Sequence, residues 1–422
     1  MMILALGCWS WGVIVVGVIY IGICLKSRSL TPIGWWHLKP LDTPGHWQPR
    51  GESKGDVGYP VPKPNQEKVY KPSPRNRNIR QSVGDPGRLN SFGMPVFHST
   101  DDLLRWLNLD FRSFLALADP SNRIRPGKTN YVEWHVPKKS TGVRIICSPK
   151  PRLKSVQTKI KEGILDRAPV HGAAHGFVRN RNIVSNASAH VGKDLILNLD
   201  LRNFFDHVTY PKVVGIFRWL GYNSEVSRCL AQLCTYRPNL GPINKPRGED
   251  DQVKRVWRAF RHAVQGAPTS PMLANLAVQR MDRRLSGLAK RFDATYTRYA
   301  DDLTFSGDES FKRGMIRFLK CAKVIIRQEG FRLNHRKLRF MRPSERQEVT
   351  GVIVNEKTNA RREDYDRLKA IIYNARKAGS LESQNRDGHS DFRAHLLGRI
   401  GHISKLNPAR GRKLLDAIRD VS

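Results

Sequence analysis

Three aspartates occupy the ends of apolar segments, where carboxylates can serve catalysis. Asp200 follows the apolar run Leu195–Leu199, and Asp301 and Asp302 form the turn between two β-like runs. We expect neighbouring strands to bring these carboxylates to one edge of a sheet, where like charges are costly unless a cation binds between them. Two divalent ions about 4 Å apart can activate a 3′ hydroxyl and stabilise a departing pyrophosphate. The pattern predicts a site for hard divalent cations, although an Asp-Asp turn alone is more often only solvated.

Short strands are the elements that would position this site. Leu195–Leu199 is typical of a buried strand, and the apolar runs on either side of Asp301 predict a second pair. Tyr131–Val136 and Val143–Cys147 are also β-like. They flank a tip that includes Lys139, so the sequence predicts a further hairpin with a basic tip.

The chain divides by composition into four segments. The first is apolar, the second is dense in proline and glycine, and the third has a globular pattern. The last predicts amphipathic helices, one of which Gly379 can end and another of which Ser390 can cap. We expect, in chain order, a transmembrane helix at 1–25, a basic linker at 26–98, a core domain at 99–355 and a basic helical domain at 356–422.

The apolar segment Met2–Leu25 contains no charged residue. It is long enough to cross a hydrocarbon core of about 30 Å. A cleaved signal peptide is the alternative, but no basic segment precedes the run and no small-residue cleavage site follows it. Because Lys26, Arg28 and Lys39 follow the run, the positive-inside rule predicts a single-pass anchor in the inner membrane, with the catalytic part in the cytoplasm.

Basic residues strongly outnumber acidic ones. Lys and Arg number 73 against 37 Asp and Glu, which leaves a formal net charge of +36. Such an excess is typical of proteins that bind phosphate backbones, so it predicts a nucleic-acid partner, with anionic lipid as the alternative. The six cysteines form no CxxC pair, which argues against a zinc knuckle or a secreted disulfide scaffold.

Three motifs in a fixed order resemble those of the reverse transcriptases. Tyr299-Ala300-Asp301-Asp302 resembles their Tyr-x-Asp-Asp signature, and Asp200 with Phe204-Phe205 resembles their upstream palm aspartate motif. Gln265–Pro271 resembles the loop and helix that follow. The tetrapeptide alone is a weak signal, whereas three motifs in the right order are strong. From Ser99 onward, the resemblance implies a right-hand α+β polymerase of fingers, a palm with an antiparallel sheet and a helical thumb.

Two shorter elements resemble those of the retron reverse transcriptases. Asn186–His190 matches their Asn-Ala-x-x-His element, and Val349–Gly351 matches their Val-Thr-Gly element; His175–Arg179 and Leu153-Lys154 also fit. The resemblance implies deoxynucleoside triphosphates as substrates and a structured noncoding RNA as template and primer. It also implies a small branched DNA product and an association with antiphage defence, and it leaves any effector protein unidentified.

The resemblance further implies roles for individual residues. Asp200 and Asp301 would bind both Mg²⁺ ions or the catalytic one alone, and Asp302 would support the site with less direct contact. Lys337 would protonate the departing pyrophosphate, a general-acid role that needs a positioned proton donor. A lysine that contacts phosphate or only solvent is the alternative.

Four more residues would bind the incoming nucleotide. Phe205 would pack under its sugar and exclude a 2′ hydroxyl, and Arg144, with Lys138 or Lys139, would grip the triphosphate. Gln265, in the loop motif, is assigned to the same nucleotide. Plain core packing is the alternative for Phe205, and simple solvation is the alternative for the lysines.

Two other functions remain open at this point. Another bacterial reverse transcriptase, encoded by an intron or associated with defence, would share the three polymerase motifs. A membrane-tethered RNA-binding protein without catalysis would not need all three aspartates. Asn186–His190 and Val349–Gly351 favour the retron class, and we therefore expect an RNA-directed DNA polymerase of that class.

Overall fold

The computed structural model describes residues 84–119, 129–137, 143–237 and 260–421. Almost all of these residues belong to one compact unit. The predicted transmembrane helix, most of the predicted linker and Lys139 lie outside the described residues. Within the described ranges, no helix is both long enough and apolar enough to cross a membrane.

The described elements follow one another as helices interrupted by short strands. The α-helices are α1 (Pro86–Ser91), α2 (Thr100–Leu107), α3 (Phe111–Ala118), α4 (Pro151–Gly163), α5 (Ile183–Ser188), α6 (Tyr210–Leu220), α7 (Ser224–Cys234), α8 (Ser270–Ala277), α9 (Gln279–Arg291), α10 (Glu309–Gln328), α11 (Arg362–Ala378), α12 (Phe392–Leu406) and α13 (Pro408–Arg419). The strands are β1 (Tyr131–Pro137), β2 (Val143–Pro149), β3 (Leu195–Asp200), β4 (Ala294–Tyr299), β5 (Asp302–Gly307), β6 (Arg339–Met341), β7 (Glu348–Val349) and β8 (Val352–Ile353).

A four-stranded antiparallel sheet forms the centre, in the order β4-β5-β3-β6. The strands predicted beside the aspartates are present, and the register pairs Asp200 with Asp302 and Leu197 with Phe305. The sequence analysis did not predict β6, which pairs with β3 over only three residues. A run of three residues is too short to show the apolar–polar alternation that predicts a strand.

The predicted basic-tipped hairpin is a separate two-stranded sheet of β1 and β2. Two boundaries differ from expectation. Asp391, not Ser390, caps α12, because its carboxylate accepts a hydrogen bond from Ala394 N at 2.8 Å. Within the range predicted as linker, α1 forms with Pro86 in its first turn, where proline fits a helix, and Leu89 is buried.

Two hydrophobic cores contain the buried apolar side chains of the described part. The larger core joins helices α1 to α4 and α6 to α10 to the sheet through residues such as Leu197, Phe305 and Phe318. The second core contains the helices α11 to α13, and it also takes in Ile196 of β3 and Met341 of β6. The C-terminal helices are therefore packed on the sheet itself, because their core includes side chains of two of its strands.

Candidate active site

Asp200 is the last residue of β3, and its side chain is almost completely buried. Lys337 Nζ donates a hydrogen bond to Oδ2 at 2.7 Å, and Asn334 Nδ2 donates one to Oδ1 at 3.1 Å. Both partners come from the turn before β6. Its backbone is tied to β3, since Asn334 N donates to Asp200 O at 2.8 Å. The carboxylate of Asp200 is thus held by a cation and an amide from one turn.

Asp301 lies in the two-residue turn between β4 and β5. Leu201 N donates a hydrogen bond to Asp301 O at 2.9 Å, which ties the turn to the residue that follows Asp200. Burial, and then the negative charge of Asp200, raise the pKa of Asp301 to about 6, although Lys337 and Arg144 act in the opposite direction. The two carboxylates are therefore close enough to repel each other, and a cation between them is favoured.

The donor set at this point fits magnesium. Mg²⁺ is commonly held by one or two carboxylates together with substrate phosphates and water, and Asp200 and Asp301 supply the two carboxylates. In the described part of the chain, no group of three or more His, Cys, Asp or Glu could hold a metal ion by itself. Asp302 faces Asp200 in the strand register. Bound Mg²⁺ would supply charge stabilisation for the pentavalent phosphorus and activation of the attacking hydroxyl.

Lys337 places an ammonium group next to the carboxylates of the candidate site. Burial lowers the pKa of Lys337, but the hydrogen bond to Asp200 and the charges of Asp200, Asp301 and Asp302 outweigh it, so the pKa is raised overall. The Lys337 ammonium group is therefore protonated at neutral pH and can act as a proton donor. About half of the side chain is exposed, so it can move from Asp200 toward a phosphate.

Three of the four residues assigned to the nucleotide lie in the described part. Arg144 on β2 is close enough to influence the pKa of Asp301. Gln265 is joined to the same strand, because its carbonyl accepts a hydrogen bond from Cys147 N at 2.7 Å. Phe205 is half-buried on the main core, with its ring centroid 5.6 Å from that of Phe204. Arg144 therefore acts on Asp301 through its charge, and Gln265 is hydrogen-bonded to the strand that carries Arg144.

A buried ion pair lies next to the turn formed by Ala300 and Asp301, and the sequence analysis did not predict it. Arg298 on β4 and Asp282 on α9 have fully buried side chains, and Nη2 lies 2.7 Å from Oδ2. Nη1 of Arg298 also donates to the carbonyl of Ala300 at 3.0 Å and to Oδ1 of Asn275 at 2.9 Å. One signal was available: an arginine in an apolar strand, three residues before Asp301.

The segment around Gly176 packs against the same turn. His175 N donates to Arg298 O at 2.7 Å, and Asn275 Nδ2 donates to Gly176 O at 2.9 Å. A Cβ on residue 176 would lie 2.6 Å from the backbone N of Ala300, so only glycine allows this approach. The neighbouring Phe177 is partly exposed and has a φ of 62°, in the left-handed region.

The two shorter elements singled out in the sequence contact each other. Asn186 Nδ2 donates a hydrogen bond to Thr350 Oγ1 at 3.4 Å. Thr350 and Gly351 form the turn between β7 and β8, and both have positive φ, at 47° and 85°. That conformation is typical of a tight two-residue hairpin turn. His190 is buried between Ser306 and Thr297 of the sheet, and burial lowers its pKa to about 3, so it stays neutral.

Comparison with known proteins agrees with this geometry. Residues 136–354, about half of the chain, match the family described as reverse transcriptase (RNA-dependent DNA polymerase). The retron Mx65 reverse transcriptase of Myxococcus xanthus is 38% identical over 81% of this chain and 76% of its own length. The retron Ec86 reverse transcriptase of Escherichia coli is 32% identical over 78% of this chain and 96% of its own.

A further relative extends the same similarity. The retron Mx162 reverse transcriptase of Myxococcus xanthus is 38% identical over 69% of this chain and 61% of its own length. The paired carboxylates, the cation beside them and the matched family together indicate nucleotide transfer onto a 3′ hydroxyl. The chain belongs to the retron-type reverse transcriptases and is an RNA-directed DNA polymerase.

Proposed function

We propose that this polymerase copies a structured noncoding RNA into a small single-stranded DNA that stays joined to the RNA by a branch. Template and primer would belong to one folded transcript, and synthesis would start from an internal guanosine 2′ hydroxyl. The observation that carries the proposal is the contact between Asn186 and Thr350. It joins both retron-like elements where the basic C-terminal helices meet the sheet.

The charge of the C-terminal helices supports an RNA chosen by shape. Residues 356–422 contain 15 Lys or Arg against 9 Asp or Glu. Several basic side chains are exposed on α11, α12 and α13, among them Arg367, Lys369, Lys377, Lys405, Arg412 and Lys413. Because the deep groove of an RNA helix hides its base edges, proteins recognise it by shape, 2′ hydroxyls and phosphates. These helices are suited to that kind of recognition.

The test is to sequence the nucleic acid that co-purifies with the protein when it is expressed with its neighbouring noncoding locus. We expect one short DNA of defined sequence, joined to RNA until debranching enzyme releases it. The Asp301→Asn variant should still bind the RNA but carry no DNA, because the isosteric amide cannot hold the metal. Heterogeneous DNA, or DNA with an ordinary 5′ end and no branch, would contradict the proposal.

A second experiment addresses which part chooses the RNA. Exchanging residues 356–422 for those of a related retron enzyme should switch the RNA that is copied, while extension of an ordinary primed template continues. If the exchanged enzyme keeps its original RNA, recognition does not reside in these helices.

We further propose a role in antiphage defence, which follows from the association of the retron class. Cells that carry the locus should form fewer plaques than cells that carry the Asp301→Asn variant. Proteins captured with the wild-type complex and absent from the variant would be candidates for an effector. Equal plaque numbers over a broad phage panel would argue against the defensive role.

We also propose that residues 1–25 anchor the enzyme in the inner membrane, with the polymerase in the cytoplasm. The uncharged run and the basic residues behind it support this. Deleting residues 1–25 should move the protein from the membrane pellet to the soluble fraction and preserve primer extension. Release of the full-length protein by carbonate or high salt would show that surface charge holds it instead.

A further inference from the structure

Helices α9 and α10 cover one face of the central sheet. The ring of Phe318 on α10 meets that of Phe305 on β5 edge to face, with the centroids 4.8 Å apart. The ring of Tyr296 on β4 stacks on Phe305, and its hydroxyl donates a hydrogen bond to Asp282 of α9 at 2.7 Å. These two helices, the helix pair, therefore lie on the same side of the sheet.

The helix pair lies on the side of the sheet opposite to the catalytic carboxylate of Asp200. Phe305 pairs with Leu197 in the strand register, so both side chains point toward the helices. Side chains alternate between the two faces along a strand, and Asp200 is three residues beyond Leu197. Ile196, which shares the face of Asp200, accordingly lies in the second core. A nucleic acid bound to the helix pair would therefore be outside the catalytic site.

Both helices of the pair are strongly basic. Together they contain 11 Lys or Arg and only two acidic residues, Asp282 and Glu309. Asp282 is buried in its ion pair with Arg298, so Glu309 is the one acidic side chain on the surface of these helices. Residues 356–422 have 15 Lys or Arg against 9 Asp or Glu, in about twice the length. The helix pair thus has the larger excess of positive charge in the smaller segment.

The cations of α10 form a continuous row along the helix. They follow one another at spacings of three or four residues, in the order Arg313, Arg317, Lys320, Lys323 and Arg327. Such spacings place like charges side by side, which destabilises a helix by itself. Arg317, Lys320 and Lys323 form no ion pair with any carboxylate in the described ranges, whereas two arginines of α9 are paired with Glu329. A charge pattern that opposes helix stability is expected where a surface has a function.

We propose that the helix pair binds the phosphate backbone of a double-stranded RNA stem, separately from the primer and template in the catalytic site. Helix α10 has 20 residues and is therefore about 30 Å long, so its row of cations can follow a duplex backbone. Proteins recognise double-stranded RNA by its shape and its phosphates, which a row of lysines and arginines can contact.

The exposed faces of the helix pair fit RNA better than a lipid surface. Helices that lie in a membrane interface present Trp, Phe or Leu together on one apolar face. On α10, Phe318 and the other large apolar residues are buried in the core, and no Trp, Tyr or Phe of these two helices is exposed. Ile316 and Val324 are exposed, but each stands singly among cations.

The proposal rests on the proposed function in one respect, because the stem would belong to the noncoding transcript. The experiment uses a synthetic RNA hairpin of about 20 base pairs and needs no DNA synthesis, so absence of a branched product would leave its outcome unaffected. Fluorescence anisotropy of the labelled hairpin is measured on full-length enzyme that already holds a chain-terminated primer, its template and the next nucleotide. We expect the hairpin to bind this occupied enzyme, because the helix pair lies on the other face of the sheet.

A triple variant removes the row of cations without removing its helix formers. With Arg317→Gln, Lys320→Gln and Lys323→Gln combined, affinity for the hairpin should fall about tenfold or more, and the salt dependence should decrease by about two to three phosphate contacts. The KM for an ordinary primer–template should stay within about twofold, which also shows that the variant is folded. The charge-conserving combination Arg317→Lys, Lys320→Arg and Lys323→Arg should keep the affinity for the hairpin.

A matched control distinguishes this surface from net charge. Arg112→Gln, Arg218→Gln and Arg228→Gln remove three exposed arginines from α3, α6 and α7, and together they should leave hairpin binding unchanged. An equal loss in the control would overturn the proposal, as would displacement of the hairpin by primer–template. A third contrary result is a triple variant that binds the hairpin normally but no longer binds vesicles of phosphatidylglycerol, because the row would then serve a membrane.

Discussion

Nζ of Lys337 lies 2.7 Å from Oδ2 of Asp200, so an ammonium group is bound to one of the two carboxylates that would hold magnesium. Its charge also acts on Asp301. A cation this close stabilises the pair of carboxylates and opposes an incoming divalent ion. For a metal to bind Asp200 fully, Lys337 must move away, and the exposed half of its side chain permits the movement.

Replacing Lys337 should therefore separate metal affinity from turnover. Lys337→Met removes the competing charge, and we expect the Mg²⁺ concentration for half-maximal activity to fall about threefold or more. The same variant should lower kcat about tenfold to a hundredfold if the lysine donates a proton to pyrophosphate. Titration of Mg²⁺ in primer-extension assays measures both quantities, with Lys337→Arg as the charge-conserving control. An unchanged Mg²⁺ requirement would contradict the competition.

The raised pKa of Asp301 predicts how metal binding depends on pH. The group is ionised above its pKa of about 6 and binds Mg²⁺ in that form, so binding should weaken as the pH falls through about 6. Calorimetric titration of Mg²⁺ without nucleotide should show this midpoint. Since Arg144 lowers this pKa, Arg144→Gln should move the midpoint upward. A wild-type midpoint near 4, the ordinary value for aspartate, would contradict the effect of burial and of the Asp200 charge on this pKa.

Phe205 provides a test of sugar selection. If its ring excludes a 2′ hydroxyl by contact, Phe205→Ala should raise incorporation of ribonucleotides relative to deoxynucleotides by about tenfold or more. Single-nucleotide extension with matched ribo- and deoxynucleotides measures the ratio. Phe204→Leu is the control, because Phe204 is buried in the core beside Phe331 and its loss should affect stability alone. An unchanged ratio of ribonucleotide to deoxynucleotide incorporation would show that Phe205 only packs against the core.

The buried pair of Arg298 and Asp282 makes a prediction about stability. Asp282→Ala leaves an arginine charge without its partner, which should cost about 3 to 5 kcal/mol of unfolding free energy. The double variant Asp282→Leu with Arg298→Met removes both charges and should regain much of that loss. It should nevertheless extend primers poorly, because the Ala300 carbonyl has lost its donor. Urea unfolding and primer extension on the same proteins separate the two effects, and full activity in the double variant would contradict the positioning role.

The strands and the aspartates were predictable because apolar alternation and acidic turns are local signals. Leu195–Leu199 and the runs on either side of Asp301 form the strands that the sequence predicts. Gly379 ends α11 in the left-handed conformation expected of a glycine cap. The strand order was not predictable, since pairing of β3 with both β5 and β6 depends on contacts more than a hundred residues apart.

The supporting residues escaped the sequence analysis for a related reason. Arg298 alone resembles a charged residue at a solvated strand edge, and its burial depends on Asp282 from α9, together with the acceptors of Asn275 and Ala300. Phe177 alone resembles an ordinary apolar residue, and its conformation and exposure emerge only from the packing of Gly176 on Ala300. An arginine in an apolar strand is a local signal, but the partners that the fold brings to it from other elements leave no spacing signal in the chain.

Strand β3 contributes to both hydrophobic cores, since Leu195, Leu197 and Leu199 lie in the larger one and Ile196 lies in the second. Its hydrogen-bonded neighbours are β5 and β6, and β6 ends only at Met341. A nascent chain that has not yet emerged beyond that residue lacks a complete β6, which is one neighbour of the strand that carries Asp200. A slightly shorter chain also lacks Lys337, the residue that binds Asp200. The strand that carries Asp200 therefore gains its last neighbour late in synthesis, and we expect chains that end before Lys337 to lack polymerase activity.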